Sequence, residues 1–184
     1  MKANFMKKPI KILGVLVLTL SISVFVLSIG ARISGIYINT TLSLPVGFYK
    51  AVDEPIANGA YVAFCPPQDA FFDMARDRSY INRGDCPGGY GLLLKRVFAQ
   101  SGDTVSIDQA GIFVNGKHLP NSAQLTVDAE GQSLPQYRLQ AVLDDSEYLL
   151  LSDVNPQSFD ARYFGLIARD QIRQVVRPVF TWSH

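Results

Sequence analysis

The sequence has 184 residues, of which 48% are hydrophobic, and its formal net charge is +1. This length allows one domain with a real core and at most a small second module. Because the charges nearly balance, no strong positive field favours nucleic acid, and no nucleic-acid partner is expected.

A long apolar segment follows a basic N-terminus. Its leading side carries the lysines Lys2, Lys7, Lys8 and Lys11. Residues 12–30 contain no charged side chain, and as a helix Ile12 to Ile29 would rise about 27 Å, close to the hydrocarbon thickness of a bilayer. The segment therefore predicts a transmembrane helix. The lysines predict that residues 1–11 stay in the cytoplasm and that residues 31–184 lie outside.

The sequence leaves two fates open for this segment. Ser28-Ile29-Gly30 places small residues where a signal peptidase would cut before Ala31. The apolar run is longer than that of a removed signal, however, and Arg32 can anchor it at the interface, so a retained anchor is favoured over a cleaved signal. If the anchor stays, Ser43 lies at most about 46 Å from Ile29 and works near the bilayer.

The stretch Ser43-Leu44-Pro45-Val46-Gly47-Phe48-Tyr49 predicts a constrained turn that presents a serine. Pro45 fixes its own φ and pushes Leu44 toward an extended conformation, while Gly47 permits close backbone approaches. Taken alone, this stretch is most simply a turn that enters a first strand. A nucleophilic Ser43 needs support from elsewhere in the chain.

The cysteines Cys65 and Cys86 are each followed by proline. In an exported protein such a pair favours a disulfide over a redox or metal site. A zinc site is disfavoured because no histidine lies near the two cysteines in the sequence. The bridge would close the polar stretch at 66–85, which is most of a predicted loop at 66–90, and stabilise the fold by about 3 kcal/mol. That loop, which shows no clear apolar period, is either a substrate lid or a surface excursion.

Beyond Tyr49 the pattern predicts short strands between turns, with little helical period. The predicted strands are 60–65, 92–98, 104–107, 112–114, 137–142, 148–152, 163–168 and 172–180. Asn115-Gly116 predicts a hairpin with a type I′ turn. Strands without alternating helices favour a mainly β fold, an antiparallel sandwich or partly open barrel.

Lys95 and Arg96 interrupt the apolar strand at 92–98, and alternation along the strand points them to opposite faces. If the strand is an edge, both can be solvated and discourage aggregation. If Lys95 faces the interior, desolvation lowers its pKa from about 10.4, and the neutral amine can accept a serine proton. Such a Ser-Lys pair needs no histidine, and His118 and His184 are poorly placed for a triad.

Several motifs, in one order along the chain, resemble signal peptidases of the Ser-Lys type. They are the Ser43 turn, Lys95-Arg96-Val97, Ser101-Gly102-Asp103-Thr104-Val105, Gly111-Ile112-Phe113-Val114-Asn115-Gly116 and Ser158-Phe159-Asp160-Ala161-Arg162-Tyr163-Phe164-Gly165. General bacterial signal peptidases have two residues between serine and proline, whereas this chain has only Leu44. That spacing, and the Cys-Pro pairs around the loop, are similar to TraF-type peptidases of conjugative plasmid transfer. Ala161 departs from the serine usual at its position.

The resemblance implies roles for individual residues. Ser43 is the expected nucleophile and Lys95 the expected general base. Ser158 falls at the serine that hydrogen-bonds and orients the lysine amine. Asp160 and Arg162 match the charged pair that holds this segment in place, and in the TraF branch the aspartate can matter directly.

Thr41 matches a hydroxyl position that helps the backbone N–H of Ser43 to stabilise the oxyanion, a contribution of about 2.7–4 kcal/mol for a typical donor. Simpler interpretations exist without the motif order. Ser158 and Thr41 would then only cap turns, and Asp160 and Arg162 would form an exposed salt bridge.

The function implied is that of a membrane-anchored serine endopeptidase in the periplasm, attached to the bacterial inner membrane, which cuts exported precursors through an acyl-enzyme. The implied substrate is precursor pilin or another component of a conjugative type IV secretion apparatus, and no cofactor is expected. A general signal peptidase is the alternative within the enzyme class. A non-catalytic periplasmic β-domain that binds transfer components is the alternative outside it.

Overall fold

A computed structural model describes residues 7–152 and 154–182. Lys2 with the rest of 1–6, and His184, lie outside the described residues. The chain divides into two compact units, one ending at Tyr37 and the other beginning at Ile38.

The first unit is dominated by one helix, α1 (Lys7–Ile33). Its stretch Lys11–Gly30 is long and apolar enough to cross a membrane. Leu20 and Phe25 are 66% and 65% exposed. A helix that is apolar on all faces needs an apolar environment, so α1 has the length and composition of the predicted anchor.

The second unit is mainly β, as predicted. Its strands are β1 (Ile36–Asn39, which begins in the first unit), β2 (Gly47–Val52), β3 (Tyr61–Phe64), β4 (Arg83–Cys86), β5 (Leu93–Ala99), β6 (Thr104–Asp108), β7 (Gly111–Val114), β8 (Lys117–His118), β9 (Leu139–Val142), β10 (Glu147–Leu151), β11 (Ile167–Ala168) and β12 (Ile172–Thr181). A seven-stranded sheet runs β1-β2-β12-β3-β5-β10-β11 and a four-stranded sheet runs β8-β7-β6-β9. The described strand pairs are antiparallel.

The hairpin between β7 and β8 has the predicted turn. Asn115 and Gly116 have φ values of 51° and 77°, and positive φ at both central residues is the mark of a type I′ turn. Asn115 also accepts a hydrogen bond from the Thr104 backbone N–H at 2.9 Å. The turn therefore fixes the register of β7 and ties it to β6.

One helix lies where the sequence predicts only an irregular loop. Helix α2 (Ala70–Asp77) occupies part of the loop at 66–90, and its N-cap residue Asp69 accepts a hydrogen bond from Phe72 N at 2.8 Å. Phe72 and Ala75 are buried in the core. The loop is thus not merely a surface excursion, because two of its side chains belong to the core. The helix is too short to show a periodic hydrophobic pattern in the sequence, and the Asp69 cap together with the burial of Phe72 and Ala75 stabilises it.

A second helix replaces part of the strand predicted at 163–168. Helix α3 (Ala161–Phe164) starts after Asp160, whose carboxylate accepts from Arg162 N, and it ends at Gly165 with φ of 77°. Only Ile167–Ala168 is a strand. The prediction of a strand was wrong here because a short apolar run such as 163–167 fits the hydrophobic period of a helix as well as that of a strand. The N-cap hydrogen bond of Asp160 favours the helix.

The predicted disulfide is confirmed. Cys65 and Cys86 are bonded, with their Cα atoms 5.5 Å apart. Both cysteines belong to the buried cluster that also contains Phe72, Ala75 and Tyr90. The bridge fastens the far end of the loop beside β3 and restricts the unfolded chain.

Candidate active site

Ser43 lies in the turn between β1 and β2, and a network of hydrogen bonds holds that turn rigid. The side-chain amide of Asn39 donates to the carbonyl oxygens of Leu44 and Pro45 at 2.9 and 3.2 Å. Tyr49 Oη donates to the Pro45 carbonyl at 2.7 Å, and Leu44 is buried. The backbone around Ser43 is therefore fixed while its hydroxyl stays half-buried at the surface.

Asn39 is the positioning residue that the sequence analysis missed. Its amide also donates to the Thr41 carbonyl at 3.0 Å, and its Oδ1 accepts from Thr41 Oγ1 at 2.9 Å. An asparagine ahead of a turn is a common local signal, because its side chain mimics the backbone. Thr41 itself is exposed, and its hydroxyl proton is directed to Asn39.

Gly47 is required by a close backbone approach. A β-carbon at this position would collide with the carbonyl oxygen of Phe180. The strands β2 and β12 pair along this line, with Thr181 opposite Gly47. Glycine here lets the end of the serine turn join the sheet, in agreement with the sequence prediction.

Lys95 is buried on a central strand. β5 lies between β3 and β10, so the edge-strand interpretation is wrong, and Lys95 is only 2% exposed. Arg96 points the other way, donates to the Gly59 carbonyl and lies over the rings of Tyr61 and Phe98. The pleat thus places one cation inside and leaves the other at the surface.

Burial changes the protonation of Lys95. Desolvation lowers the pKa of the ammonium to about 8, the negative charge of Asp160 opposes this change, and Arg162 adds to it. A lysine with this pKa is partly neutral near neutral pH. It can therefore accept a proton, which an ordinary surface lysine does not.

Ser158 connects the serine to the lysine. Its Oγ lies 2.9 Å from Ser43 Oγ and accepts a hydrogen bond from Lys95 Nζ at 2.7 Å. Ser158 is 3% exposed, so water does not compete for its hydroxyl. The contact between Ser43 and Lys95 thus runs through a third side chain, whereas the sequence analysis assigned Ser158 only to orienting the amine.

Asp160 and Arg162 form a fully buried ion pair. Arg162 Nε and Nη2 donate to the two carboxylate oxygens of Asp160 at 2.8 and 2.7 Å, and both side chains are 0% exposed. The exposed salt bridge considered for this pair is therefore ruled out. A forked pair with charge-assisted bonds is among the strongest polar contacts in proteins.

The rest of the guanidinium binds the backbone of the Ser158 segment. Arg162 donates to the carbonyl oxygens of Ser158, Asn155, Pro156 and Asn121. Asp160 accepts from the Ser152 backbone N–H at 3.1 Å. The pair thereby holds the chain on both sides of Ser158.

Ser43 and Lys95 open onto a cleft of about 180 Å³. Its walls come from the serine turn, from β5 and from the disulfide-bridged loop: Ile38, Asn39, Thr40, Thr41, Ser79, Tyr80, Asn82, Leu92, Leu93, Leu94 and Phe159. The volume is below the roughly 300–1,000 Å³ of small-molecule pockets. A cleft of this size has room for a small side chain.

Within residues 7–152 and 154–182, no group of histidine, cysteine, aspartate and glutamate side chains could hold a metal ion. The polar side chains that contact one another at the cleft include the hydroxyls of Ser43 and Ser158 and the amine of Lys95.

The family model for signal peptidase, peptidase S26, matches residues 6–182. The chain therefore belongs to the signal peptidase family S26, a family of serine peptidases. It is 45% identical over 178 residues to the plasmid transfer protein TraF of Escherichia coli, covering 96% of this chain and 100% of that one. The resemblance to TraF-type signal peptidases is thus confirmed.

Two further proteins are similar to the chain. The conjugal transfer protein TraF of Agrobacterium fabrum is 34% identical over 176 residues, covering 95% of this chain and 96% of the relative. A signal peptidase I structure from Enterococcus faecalis aligns with a TM-score of 0.38 and 17% identity, covering 69% of this chain and all of that one.

Arg162→Ala is expected to lower the free energy of unfolding by about 3–5 kcal/mol, because it leaves the Asp160 carboxylate buried without its partner. Denaturant unfolding of the full-length protein in detergent measures this change. Arg177→Ala is the matched control: it breaks an exposed pair with Glu54, 2.8 Å long, and should cost less than about 1 kcal/mol. Equal losses for the two variants would show that the buried pair does not hold the segment.

Proposed function

We propose that this chain is a serine endopeptidase in which Ser43 is the nucleophile and Lys95 the general base. The observation that carries the proposal is the shared hydroxyl of Ser158, 2.9 Å from Ser43 Oγ and 2.7 Å from Lys95 Nζ. A nucleophile needs a base within hydrogen-bond reach, directly or through one intermediate group. Here that group is a buried side chain rather than water.

Proton transfer follows this line of hydroxyls. With Lys95 neutral, Ser158 donates its proton to Nζ and accepts the proton of Ser43, while Ser43 Oγ attacks the carbonyl carbon of the scissile bond. The lysine, now an ammonium, returns a proton through the same path to the departing amine, which leaves an acyl-enzyme on Ser43. Ser158 acts as a proton relay as well as an orienting group.

The oxyanion formed by this attack needs donors near Ser43. The Ser43 backbone N–H and the Thr41 hydroxyl are the proposed donors. Because Thr41 Oγ1 donates to Asn39 Oδ1 in this structure, its hydroxyl must rotate to serve the oxyanion. Thr41 therefore contributes to the rate as a supporting group and is not essential.

The biological setting is proposed from the relatives and from the N-terminal helix. Relatives named for plasmid and conjugal transfer support a role in conjugation, with precursor pilin or another exported component of the type IV secretion apparatus as the substrate. Helix α1 would anchor the chain in the inner membrane, with residues 1–11 in the cytoplasm and 31–184 in the periplasm. The Cys65–Cys86 disulfide supports this location, because disulfides persist in oxidising compartments.

Ser43→Ala and Lys95→Met should each abolish maturation of the precursor pilin of the same transfer system. Loss of a general base alone lowers a rate by about 10²–10⁴-fold. Gel mobility of the precursor in cells that express each variant measures the outcome. Lys50→Met, which removes an exposed lysine, should process normally, and wild-type processing by either cleft variant would exclude this assignment.

Ser158→Ala should lower kcat by about 10²-fold or more, because it interrupts the path between Ser43 and Lys95. Ser158→Thr keeps a hydroxyl and should restore part of the rate. Ser122→Ala is the matched control, since Ser122 is also buried and hydrogen-bonded, to Leu119 O at 2.6 Å and Ile112 N at 2.9 Å. If both alanine variants cleave equally fast, Ser158 is not a relay.

The rate should rise with pH and reach half of its plateau near pH 8, which is about the pKa of Lys95. Below this pH most Lys95 side chains are ammonium ions, which have no lone pair to accept a proton. Asp160→Asn should move this midpoint to lower pH, since the carboxylate raises the pKa of Lys95. The exposed variant Asp170→Asn should leave it in place. Measuring kcat across this range tests the assignment, and a rate that is flat through pH 8 contradicts it.

A further inference from the structure

A second cavity lies beside the cleft, on the other side of Tyr80 and Phe159. We call it the lateral pocket; it has a volume of about 270 Å³ and is lined chiefly by Tyr80, Leu125, Val127, Leu134, Phe159 and Tyr163. Tyr80 and Phe159 also line the cleft of Ser43 and Lys95. The two cavities are therefore neighbours that share walls.

The lining of the lateral pocket is apolar and partly uncovered. Leu125 and Val127 at its rim are 38% and 49% exposed. Its carboxylate, Asp128, is already occupied: it accepts from Tyr80 Oη and from the backbone N–H groups of Glu130 and Gln132, the last two at 2.9 and 2.7 Å. What the pocket offers a ligand is therefore unpartnered apolar surface.

The wall between the two cavities is rigid. The ring of Phe159 stacks on Phe71 and on Tyr163, with centroids 5.7 Å apart in each case and interplanar angles of 17° and 6°. Phe159 directly follows Ser158, whose hydroxyl contacts Ser43 and Lys95. One residue thus fixes the lateral pocket relative to the reacting groups.

We propose that the lateral pocket binds a large apolar side chain of the same polypeptide that is cleaved in the cleft. The inference rests on the proposed function and adds a specificity site to it. Because the two cavities share Tyr80 and Phe159 in their linings, they lie within one side chain of each other. An extended substrate, each of whose residues advances about 3.3 Å, can therefore place one side chain in each cavity. The side chain concerned lies within a few residues of the scissile bond.

The volume favours a side chain over a free ligand. At about 270 Å³, the pocket is smaller than the roughly 300–1,000 Å³ typical for small molecules. Because Asp128 already accepts hydrogen bonds from Tyr80, Glu130 and Gln132, a cationic ligand would compete with donors of the chain itself for this carboxylate. The assignment also gives a role to residues 128–134, which no motif of the sequence explains.

Synthetic peptides with alanine on both sides of the scissile bond, and one leucine moved position by position, test the proposal. Binding is measured by fluorescence anisotropy with the full-length Ser43→Ala protein in detergent, and cleavage with the unmodified protein. One leucine position should improve affinity about tenfold or more over the all-alanine peptide, the usual gain for filling an apolar pocket.

This gain should disappear in Val127→Asp, which places a charge at the rim, and in Ala129→Phe, which fills the pocket without adding charge. It should persist in Val142→Asp, the matched control, because Val142 is 64% exposed on the four-stranded sheet. No gain at any leucine position, or a gain that survives both pocket variants, overturns the proposal.

Two other outcomes distinguish the proposed peptidase function from the proposed role of the lateral pocket. Leucine-dependent binding without cleavage of any peptide by the unmodified protein overturns the proposed function and supports the pocket as a site for peptide side chains. If no leucine position improves binding and Val127→Asp instead dissociates an oligomer of the full chain, the pocket is a contact between copies, and the proposal is wrong.

Discussion

Arg162 and Asp160 carry opposite charges in a place from which water is excluded. Removing such charges from water costs several kcal/mol for each ion, and only a complete set of hydrogen bonds offsets that cost. The carbonyl oxygens that complete the set for Arg162 belong largely to residues 155–158. Residues 155–158 can therefore adopt few conformations other than the one observed. The position of Ser158 follows from these bonds between Arg162 and the backbone rather than from the contacts of the Ser158 hydroxyl.

The same pair shapes the electrostatics of Lys95. Desolvation lowers the pKa of an ammonium and so favours its neutral form. The negative charge of Asp160 raises the pKa of Lys95 and opposes this effect, whereas the positive charge of Arg162 lowers the pKa further. Because the two partners are fixed by their mutual bonds, their opposing effects on the lysine are fixed as well. A base whose pKa is near the working pH accepts and returns a proton most effectively. The pair thus sets both the geometry and the proton affinity of the site.

The fold class follows from strand alternation and turn residues, which are local signals in the sequence. The candidate pairing of Ser43 with Lys95 rests on the order of the motifs along the chain, which is what the resemblance to Ser-Lys signal peptidases supplies. Sequence reasoning missed Asn39, whose role depends on where the turn folds back. It also placed a strand where α3 forms, since a cap outweighs a short apolar run. The resemblance implies the hydrogen bond between Ser158 and Lys95. The sequence does not predict the contact between Ser158 and Ser43, because it joins side chains 115 residues apart.

In the segment from Ser158 to Tyr163, adjacent residues lie in different environments and make different contacts. Ser158 contacts Ser43 and Lys95. Phe159 lines both the cleft and the lateral pocket, and the Asp160 carboxylate is paired with Arg162 in the interior. A shift of this backbone would disturb the contacts of Ser158 with Ser43 and Lys95 and the apolar wall together. Chemistry and proposed side-chain selection therefore depend on one rigid element, which explains why the chain buries a costly ion pair to hold it.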